Sequence, residues 1–202
     1  MYQQAEILHQ LKASKVALFG LGLTGMSMFR YLQKHDIKPD VFDGKFEAAS
    51  SAKNSELFDG LNTQFGNITD TQFNGYEYLL ISPGISLTTP AISNAIKSGV
   101  QVFCDVELFA RVNVKPVLAV TGSNGKSTVV AWLTDFLNRV GKKAVVCGNF
   151  GVPVLDVIDQ AVDVFVIELS SFQLDTTESL KCEAATVLNV SPDHLDRYES
   201  FE

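Results

Sequence analysis

The sequence predicts an α/β protein: an N-terminal Rossmann-like parallel-sheet domain followed by part of a P-loop ATPase-like α/β domain. Three observations carry this. Short apolar runs alternate with helix-like segments along the chain, the pattern of strand–helix–strand crossovers. A glycine turn, Gly20-Leu-Gly-Leu-Thr-Gly25, follows the first apolar run. A second glycine turn, Thr121-Gly-Ser-Asn-Gly-Lys-Ser-Thr128, follows another. Two such turns, each behind a strand, imply two separate sheets.

The elements follow in order. Lys15-Val-Ala-Leu-Phe19 reads as the first strand and Met26 to Lys34 as its helix. Asp40-Val-Phe-Asp43 reads as the second strand, and Glu47 to Asn74 is polar and turn-rich. Tyr78-Leu-Leu-Ile-Ser82 is a strand that stops at Pro83-Gly84. The next helix runs to Lys97, with Thr89 as its cap, Pro90 at its first position and Gly99 beyond its end. Val100–Phe103 is a short strand and Val106–Val112 a helix. Val112-Asn-Val-Lys-Pro116 reads as a linker, which places the boundary between units 1–112 and 113–202. The pattern then restarts: strand Val117–Val120, glycine turn, helix Val129–Val140, and strands at Ala144–Cys147, Val162–Glu168 and Ala184–Asn189.

Composition narrows the function. Hydrophobic residues make up 46% and charged residues 19%, which suits a soluble globular chain. Sixteen basic against 23 acidic residues leave a net charge of −7, which argues against nucleic acid as a partner. Cys104, Cys147 and Cys182 are odd in number and widely spaced among apolar neighbours. They predict buried thiols in a reducing cytoplasm, not a disulfide framework. The first residues lack a signal-peptide pattern, and no apolar run is long enough to span a membrane.

The first glycine turn matches the dinucleotide fingerprint. Asp43 ends the next strand roughly 20 residues on, where such folds place an acid for a ribose hydroxyl. These glycines specify only a tight turn near a phosphate. A nicotinamide dinucleotide and a UDP-linked ligand suit it equally, and a non-catalytic binding module stays open.

The second turn is more specific. Gly122 and Gly125 permit positive φ and close backbone approach. The amides of Gly122, Ser123, Asn124, Gly125, Ser127 and Thr128 are expected to point at one spot, where the helix dipole favours negative charge. Lys126 adds a full charge for β- and γ-phosphates, and the Ser127 hydroxyl is placed to meet Mg²⁺. The loop departs from the standard P-loop at Val120, which stands where the first glycine belongs.

Three further residues end strands at the same sheet edge. Glu168 closes the apolar run Val164-Phe-Val-Ile167 and suits a Mg²⁺ ligand. His194 follows the strand ending near Asn189 and is a candidate ligand for substrate or a second metal. Asn149, in Gly148-Asn-Phe-Gly151, is a candidate substrate contact.

Taken together these segments resemble a known family. Thr121–Thr128, Glu168-Leu-Ser-Ser-Phe-Gln-Leu174 and Asp193-His-Leu-Asp-Arg-Tyr198 look like the Mur ligases of bacterial peptidoglycan synthesis. Gly20–Gly25, Ser82-Pro-Gly-Ile85 and Asp105-Val-Glu-Leu-Phe109 resemble them too, so the likeness runs from about residue 15 to the last. Folylpolyglutamate synthetases share the loop chemistry but lack this N-terminal domain.

The resemblance implies three domains, for the UDP part of the substrate, for ATP, and for completing the ATP and amino-acid sites. It implies ATP-driven addition of D-glutamate to UDP-N-acetylmuramoyl-L-alanine through an acyl phosphate, by a cytoplasmic monomer with Mg²⁺. Carried over, Lys126 and its loop hold the ATP phosphates, and Ser127 and Glu168 bind Mg²⁺. His194 serves the second metal and the reacting carboxylate, and Asn149 contacts the muramoyl portion. Leu23, Thr24, Asp43, Ser82 and Gly84 line the uridine-diphosphate pocket. Gly44-Lys45 departs from the family's Thr-Arg; Lys keeps the charge but loses the planar fork. The family's central domain continues past residue 202, with a carbamylated metal-binding lysine, and a C-terminal domain follows it. The chain therefore reads as a fragment that binds the UDP substrate, binds ATP weakly and ligates nothing by itself.

Overall fold

The computed structural model of the chain describes residues 2–45 and 56–192. Five strands form the first sheet: β1 (Val16–Phe19), β2 (Asp40–Asp43), β3 (Thr63–Phe65), β4 (Tyr78–Ile81) and β5 (Gln101–Phe103). All pairings are parallel, in the order β3-β2-β1-β4-β5. That is the dinucleotide-fold order, and a crevice opens at the carboxyl ends of β1 and β4, where the order reverses.

Both central strands are buried along their whole length. A parallel sheet covered on two faces needs apolar side chains on both, so these strands read as unbroken apolar runs. Val16, Leu18, Tyr78 and Leu80 enter one core with α1 (Tyr2–Ala13), α2 (Leu23–Lys34) and α4 (Asp105–Val112). Ala17, Phe19, Leu79 and Ile81 enter another with α3 (Pro90–Lys97), through Ala91, Ile92 and Ala95. The alternation is the period of two expected of extended backbone.

Four strands form the second sheet: β6 (Val117–Thr121), β7 (Ala144–Gly148), β8 (Val164–Glu168) and β9 (Ala184–Val187). They are parallel, in the order β7-β8-β6-β9. Helix α5 (Lys126–Arg139) leaves β6 through the second glycine turn, and the single turns α6 (Val154–Val157) and α7 (Ser171–Leu174) follow β7 and β8. All four residues of the edge strand β9 are exposed. So are Trp132 and Phe136 on α5, whose one wholly buried residue is Val130.

The larger core does not stop at the first sheet. It runs through Phe109 and Val112 of α4 into Val117, Phe165 and Ile167 of the second sheet and Val154, Leu155 and Val157 of α6. Phe109 meets Phe165 edge-on at 5.2 Å between centroids. Glu107 of α4, buried, accepts the backbone N–H groups of Glu178 and Ser179, the Ser179 hydroxyl and Arg111 Nε. Burial would raise the pKa of this carboxyl, but those donors outweigh it and hold it below the usual glutamate range. Across the same seam Asp156 accepts from Ser27 and Arg30.

Helices start earlier than periodicity suggests. Helix α2 begins at Leu23, inside the glycine turn, and α4 at Asp105. Helix α1 and strand β3 have no counterpart in the sequence reading. Among the described side chains of α1, Ile7 and Leu11 are the deeply buried apolar ones, a stripe too thin to stand out. Among the described residues no helix is long and apolar enough to cross a membrane.

Candidate functional site

A cleft of about 400 Å³ lies where the two sheets meet. From the first it takes Gly22, Leu23, Thr24, Ser82, Pro83 and Gly84. From the second it takes Gly148, Asn149 and Gly151 after β7, and Ser170, Phe172 and Gln173 after β8. Five predicted site residues, Leu23, Thr24, Ser82, Gly84 and Asn149, thus share one cavity. A roomier cleft of about 640 Å³ lies between α1, the segment 113–116 and residues 178–183; it touches neither glycine turn.

The three glycines of the first turn have three different reasons to be there. Gly20 has φ +94°, and Ser82 Oγ donates to its carbonyl at 2.9 Å. A Cβ on Gly25 would lie 1.8 Å from the Gly20 oxygen, so α2 packs against the turn only if residue 25 has no side chain. Gly22 has ordinary φ −64°, and a Cβ there would meet nothing within 4 Å. Fold geometry does not require the middle glycine; its bare Cα lies on the cleft wall.

Asp43 lies elsewhere. It is buried, and one oxygen accepts Leu21 N at 2.6 Å while the other accepts Lys45 N at 2.8 Å. It braces the glycine turn from behind and is not among the residues that line the cleft.

The second turn is a tight cradle. Gly122 has φ +138° and Gly125, the cap of α5, φ +85°. The segment after β9 supports it. Ser123 N donates to the Asn189 carbonyl at 3.0 Å, and Asn124 N to the Asn189 side-chain oxygen at 2.9 Å. The Asn189 side-chain nitrogen returns a bond to the Asn124 carbonyl at 2.9 Å. Ser123 Oγ accepts Ser191 N and donates to the Ser191 carbonyl. Two expected phosphate donors, the amides of Ser123 and Asn124, are therefore already engaged. Among the described residues, no hydrogen bond takes the amides of Gly125, Lys126, Ser127 or Thr128 at the start of α5. Asn189 is thus a candidate site residue that periodicity does not mark: the sequence shows it at the end of a strand, and only the pairing of that strand with β6 brings it to the loop.

Lys126 Nζ folds back onto the carbonyls of Gly122 and Ser123. Its charge sits at the loop, over oxygens that a polyphosphate would outcompete. Ser127 Oγ donates to Glu168 Oε2 at 2.7 Å, and Asn149 Nδ2 donates to Glu168 Oε1 at 2.7 Å. Register explains the meeting: Glu168 ends β8 beside Val120 of β6 and beside Gly148 of β7. One buried carboxylate thereby joins the phosphate loop to the cleft wall. Carboxylate plus hydroxyl is a hard-oxygen pair of the kind that suits Mg²⁺, which takes one or two protein ligands and completes its shell with water and phosphate. No cluster of three or more ligating side chains occurs among the described residues. His194 and the Asp193–Tyr198 segment lie outside the described residues.

Behind the cleft, Asp105 begins α4 fully buried, and neither carboxylate oxygen has a hydrogen-bond partner of good geometry among the described residues. Burial drives its pKa up from 3.8 to about 6, although the Gln173 side chain and the Val106 N–H lie close enough to offset part of the rise. Gln173, a cleft residue, is fixed by a capping box: Gln173 N donates to Ser170 Oγ at 3.2 Å and Ser170 N to Gln173 Oε1 at 3.1 Å. Burial also lifts the thiols of Cys104 and Cys147 to about 12, so both are inert, and all three cysteines are free.

Residues 14–104 match the N-terminal domain of MurD-like Mur ligases, and residues 120–202 match the Mur ligase middle domain. A UDP-N-acetylmuramoylalanine–D-glutamate ligase from Pseudoalteromonas translucida is 47% identical over 96% of the chain and 45% of its own length. The enzyme of that name from Methylobacillus flagellatus is 44% identical over 96% of the chain and 43% of its own. The chain thus spans less than half the length of these curated relatives. Among solved structures, a UDP-N-acetylmuramate:L-alanyl-γ-D-glutamyl-meso-diaminopimelate ligase from Neisseria meningitides superimposes with a TM-score of 0.53 at 18% identity. It covers 92% of this chain and 63% of that one, and at this identity it speaks to the fold alone.

Proposed function

We propose, for a chain that belongs to the Mur ligase family, that it carries the UDP-substrate cleft and the phosphate loop of an ATP-dependent, ADP-forming ligase. The reaction joins D-glutamate to UDP-N-acetylmuramoyl-L-alanine. One observation carries the reading: Glu168 holds Ser127 of the phosphate loop with one oxygen and Asn149 of the cleft with the other. A site that must bring a polyphosphate to a substrate carboxylate needs such a junction.

We assign residues 1–112 to the substrate-binding unit and residues 113–202 to the first part of the ATP-binding unit. The uridine diphosphate lies along Leu23, Thr24, Ser82 and Gly84, with the bare face of Gly22 admitting it; Asp43 serves from behind, by holding Leu21. Asn149 reaches the muramoyl end. The amides of Gly125 to Thr128, bonded to no described residue, and the Lys126 ammonium receive the ATP phosphates. Mg²⁺ held at Ser127 and Glu168 would neutralise phosphate charge there. We extend the assignment to His194 as the group beside the reacting carboxylate.

The chemistry joins two anions. The substrate carboxylate attacks the γ-phosphorus, the bond to the ADP oxygen breaks, and an acyl phosphate forms. The amine of D-glutamate then attacks the acyl carbon, loses a proton and expels phosphate. Both approaches repel in water. The α5 amides, fixed before the reaction begins, and Lys126, once the phosphates draw it off the Gly122 and Ser123 carbonyls, lower the barrier. Part of the D-glutamate site and further metal ligands belong to sequence that the longer relatives have and this chain does not span. We place the reaction in the cytoplasm with the chain as a monomer; the acidic balance and three free thiols support this.

Calorimetric titration tests the reading. The chain should take up UDP-N-acetylmuramoyl-L-alanine and, more weakly, Mg-ATP, and should release no phosphate when D-glutamate is added. Binding of NAD in place of the UDP compound would overturn it.

A further inference from the structure

We infer that Asn189 is a positioning residue for ATP: it sets which amides of the loop Thr121–Thr128 face the phosphates. The inference rests on the nucleotide reading above and deepens it.

A loop this rich in glycine has many conformations close in energy. Four of its amides must point at one anion, and its carbonyls must point away, or they would repel the phosphates. The stretch Ser123-Asn124 is where this is decided, and Asn189 meets it at three points. Its carbonyl takes Ser123 N, its side-chain oxygen takes Asn124 N, and its side-chain nitrogen takes the Asn124 carbonyl. The last two form a closed pair between one side chain and one backbone unit. A primary amide carries its acceptor and its donor on two separate atoms, which here match the N–H and C=O of one residue. Asp would accept from Asn124 N but leave the Asn124 carbonyl without a side-chain donor.

A second observation is independent of the side chain. A Cβ on Gly122 would lie 3.0 Å from the Asn189 carbonyl oxygen and 3.1 Å from its nitrogen, so the loop rides directly on the backbone of residue 189. Leu188 N also donates to the Thr121 carbonyl at 2.9 Å. The clamp therefore works against a fixed base, the end of strand β9 paired to β6. With Ser123 and Asn124 held, the chain must turn at Gly125 in the left-handed region, and α5 starts with its first amides taken by no described residue. No other side chain bonds the Asn124 backbone among the described residues.

The test is amide-resolved NMR on this chain. In the unliganded wild type, the Ser123 and Asn124 amides should exchange slowly with solvent and the Gly125 and Lys126 amides quickly. Titration with Mg-ATP, and with tripolyphosphate as a probe of the phosphate part alone, should shift Gly125, Lys126 and Ser127. Asn189→Ala should weaken both ligands about tenfold, the loss of two ordinary hydrogen bonds, while affinity for UDP-N-acetylmuramoyl-L-alanine holds. Asn189→Asp should weaken both further, because a negative charge then stands beside the loop. A residue that merely stabilised the fold would weaken the UDP compound and the nucleotide together. Wild-type affinity for ATP in Asn189→Ala, or fast exchange at Asn124 in the wild type, overturns the inference. If the wild type shows no shift with either phosphate ligand while its UDP site fills normally, the nucleotide reading itself falls and takes this inference with it.

Discussion

Replacing two glycines of the first turn by alanine should separate folding from binding. At Gly25 the new Cβ would sit 1.8 Å from the Gly20 carbonyl oxygen and 2.8 Å from Ser82 Oγ. Ordinary contact begins at 3.4 Å, so the start of α2 must retreat by more than an ångström. The obstacle is backbone and cannot swing aside. Met28, Phe29 and Leu32 travel with the helix, and all three are fully buried. Overpacking of this kind falls at the upper end of its usual range, about 3 kcal/mol. For a chain of this size that lowers the melting temperature by roughly 6–12 °C. At Gly22 the Cβ meets open space and φ is already −64°. A gain of about 0.4–1 kcal/mol from a stiffer unfolded chain is offset by a loss of about the same size at the helix cap, where Ala ranks well below Gly, so stability stays within roughly 0.5 kcal/mol of wild type. Binding behaves in the opposite way: the Gly22→Ala methyl stands in the cleft, and affinity for the UDP substrate should fall at least about tenfold, the usual cost of a clash worth 1.4 kcal/mol. Urea unfolding followed by circular dichroism, with calorimetric titration of the folded variants, measures both. A Gly25→Ala variant as stable as wild type, or a Gly22→Ala variant that binds normally, would refute the division of labour drawn for this turn.

Two further outcomes are expected. The buried Asp105 carboxyl has its pKa raised from 3.8 to about 6, so folding favours its protonated form. Its contribution is therefore greatest below pH 4, declines as pH rises through 4 to 6, and costs the native state about 3 kcal/mol above that. Asp105→Asn should abolish this slope and exceed wild type in stability at pH 7.5; urea midpoints that stay parallel across pH would count against it. Among the described residues, Lys126→Met loses two bonds to its own loop carbonyls. It should melt within a few degrees of wild type yet lose Mg-ATP binding by at least about tenfold, read by titration; unchanged affinity would remove Lys126 from the site.

Legibility in the sequence followed locality. Glycine turns behind apolar strands are set by neighbours in the chain, so Gly20–Gly25 and Thr121–Thr128 could be read directly, as could the parallel character of both sheets. The meeting of Ser127, Asn149 and Glu168 depends on three strand ends coming into register, and only the strand-end positions were visible beforehand. Asp43 illustrates the limit. Its spacing fits a ribose contact, yet its oxygens are spent on Leu21 and Lys45, a choice made by side-chain rotamer and not by position. Asn189 shows the reverse case. A polar residue at a strand end has no periodic signature, and its value appears only once β9 lies beside β6.

The apolar core that threads from β1 and α4 into β8 and α6 has a mechanical meaning. Hinging the two sheets apart would bare Phe109, Val117 and Phe165 together and take from the Glu107 carboxylate its donors on Glu178 and Ser179. At this seam the molecule behaves as a ruler, not a jaw. The distance from the Gly22–Ser82 end of the cleft to the loop Thr121–Thr128 is set when the chain folds, and whatever spans the two is measured against it.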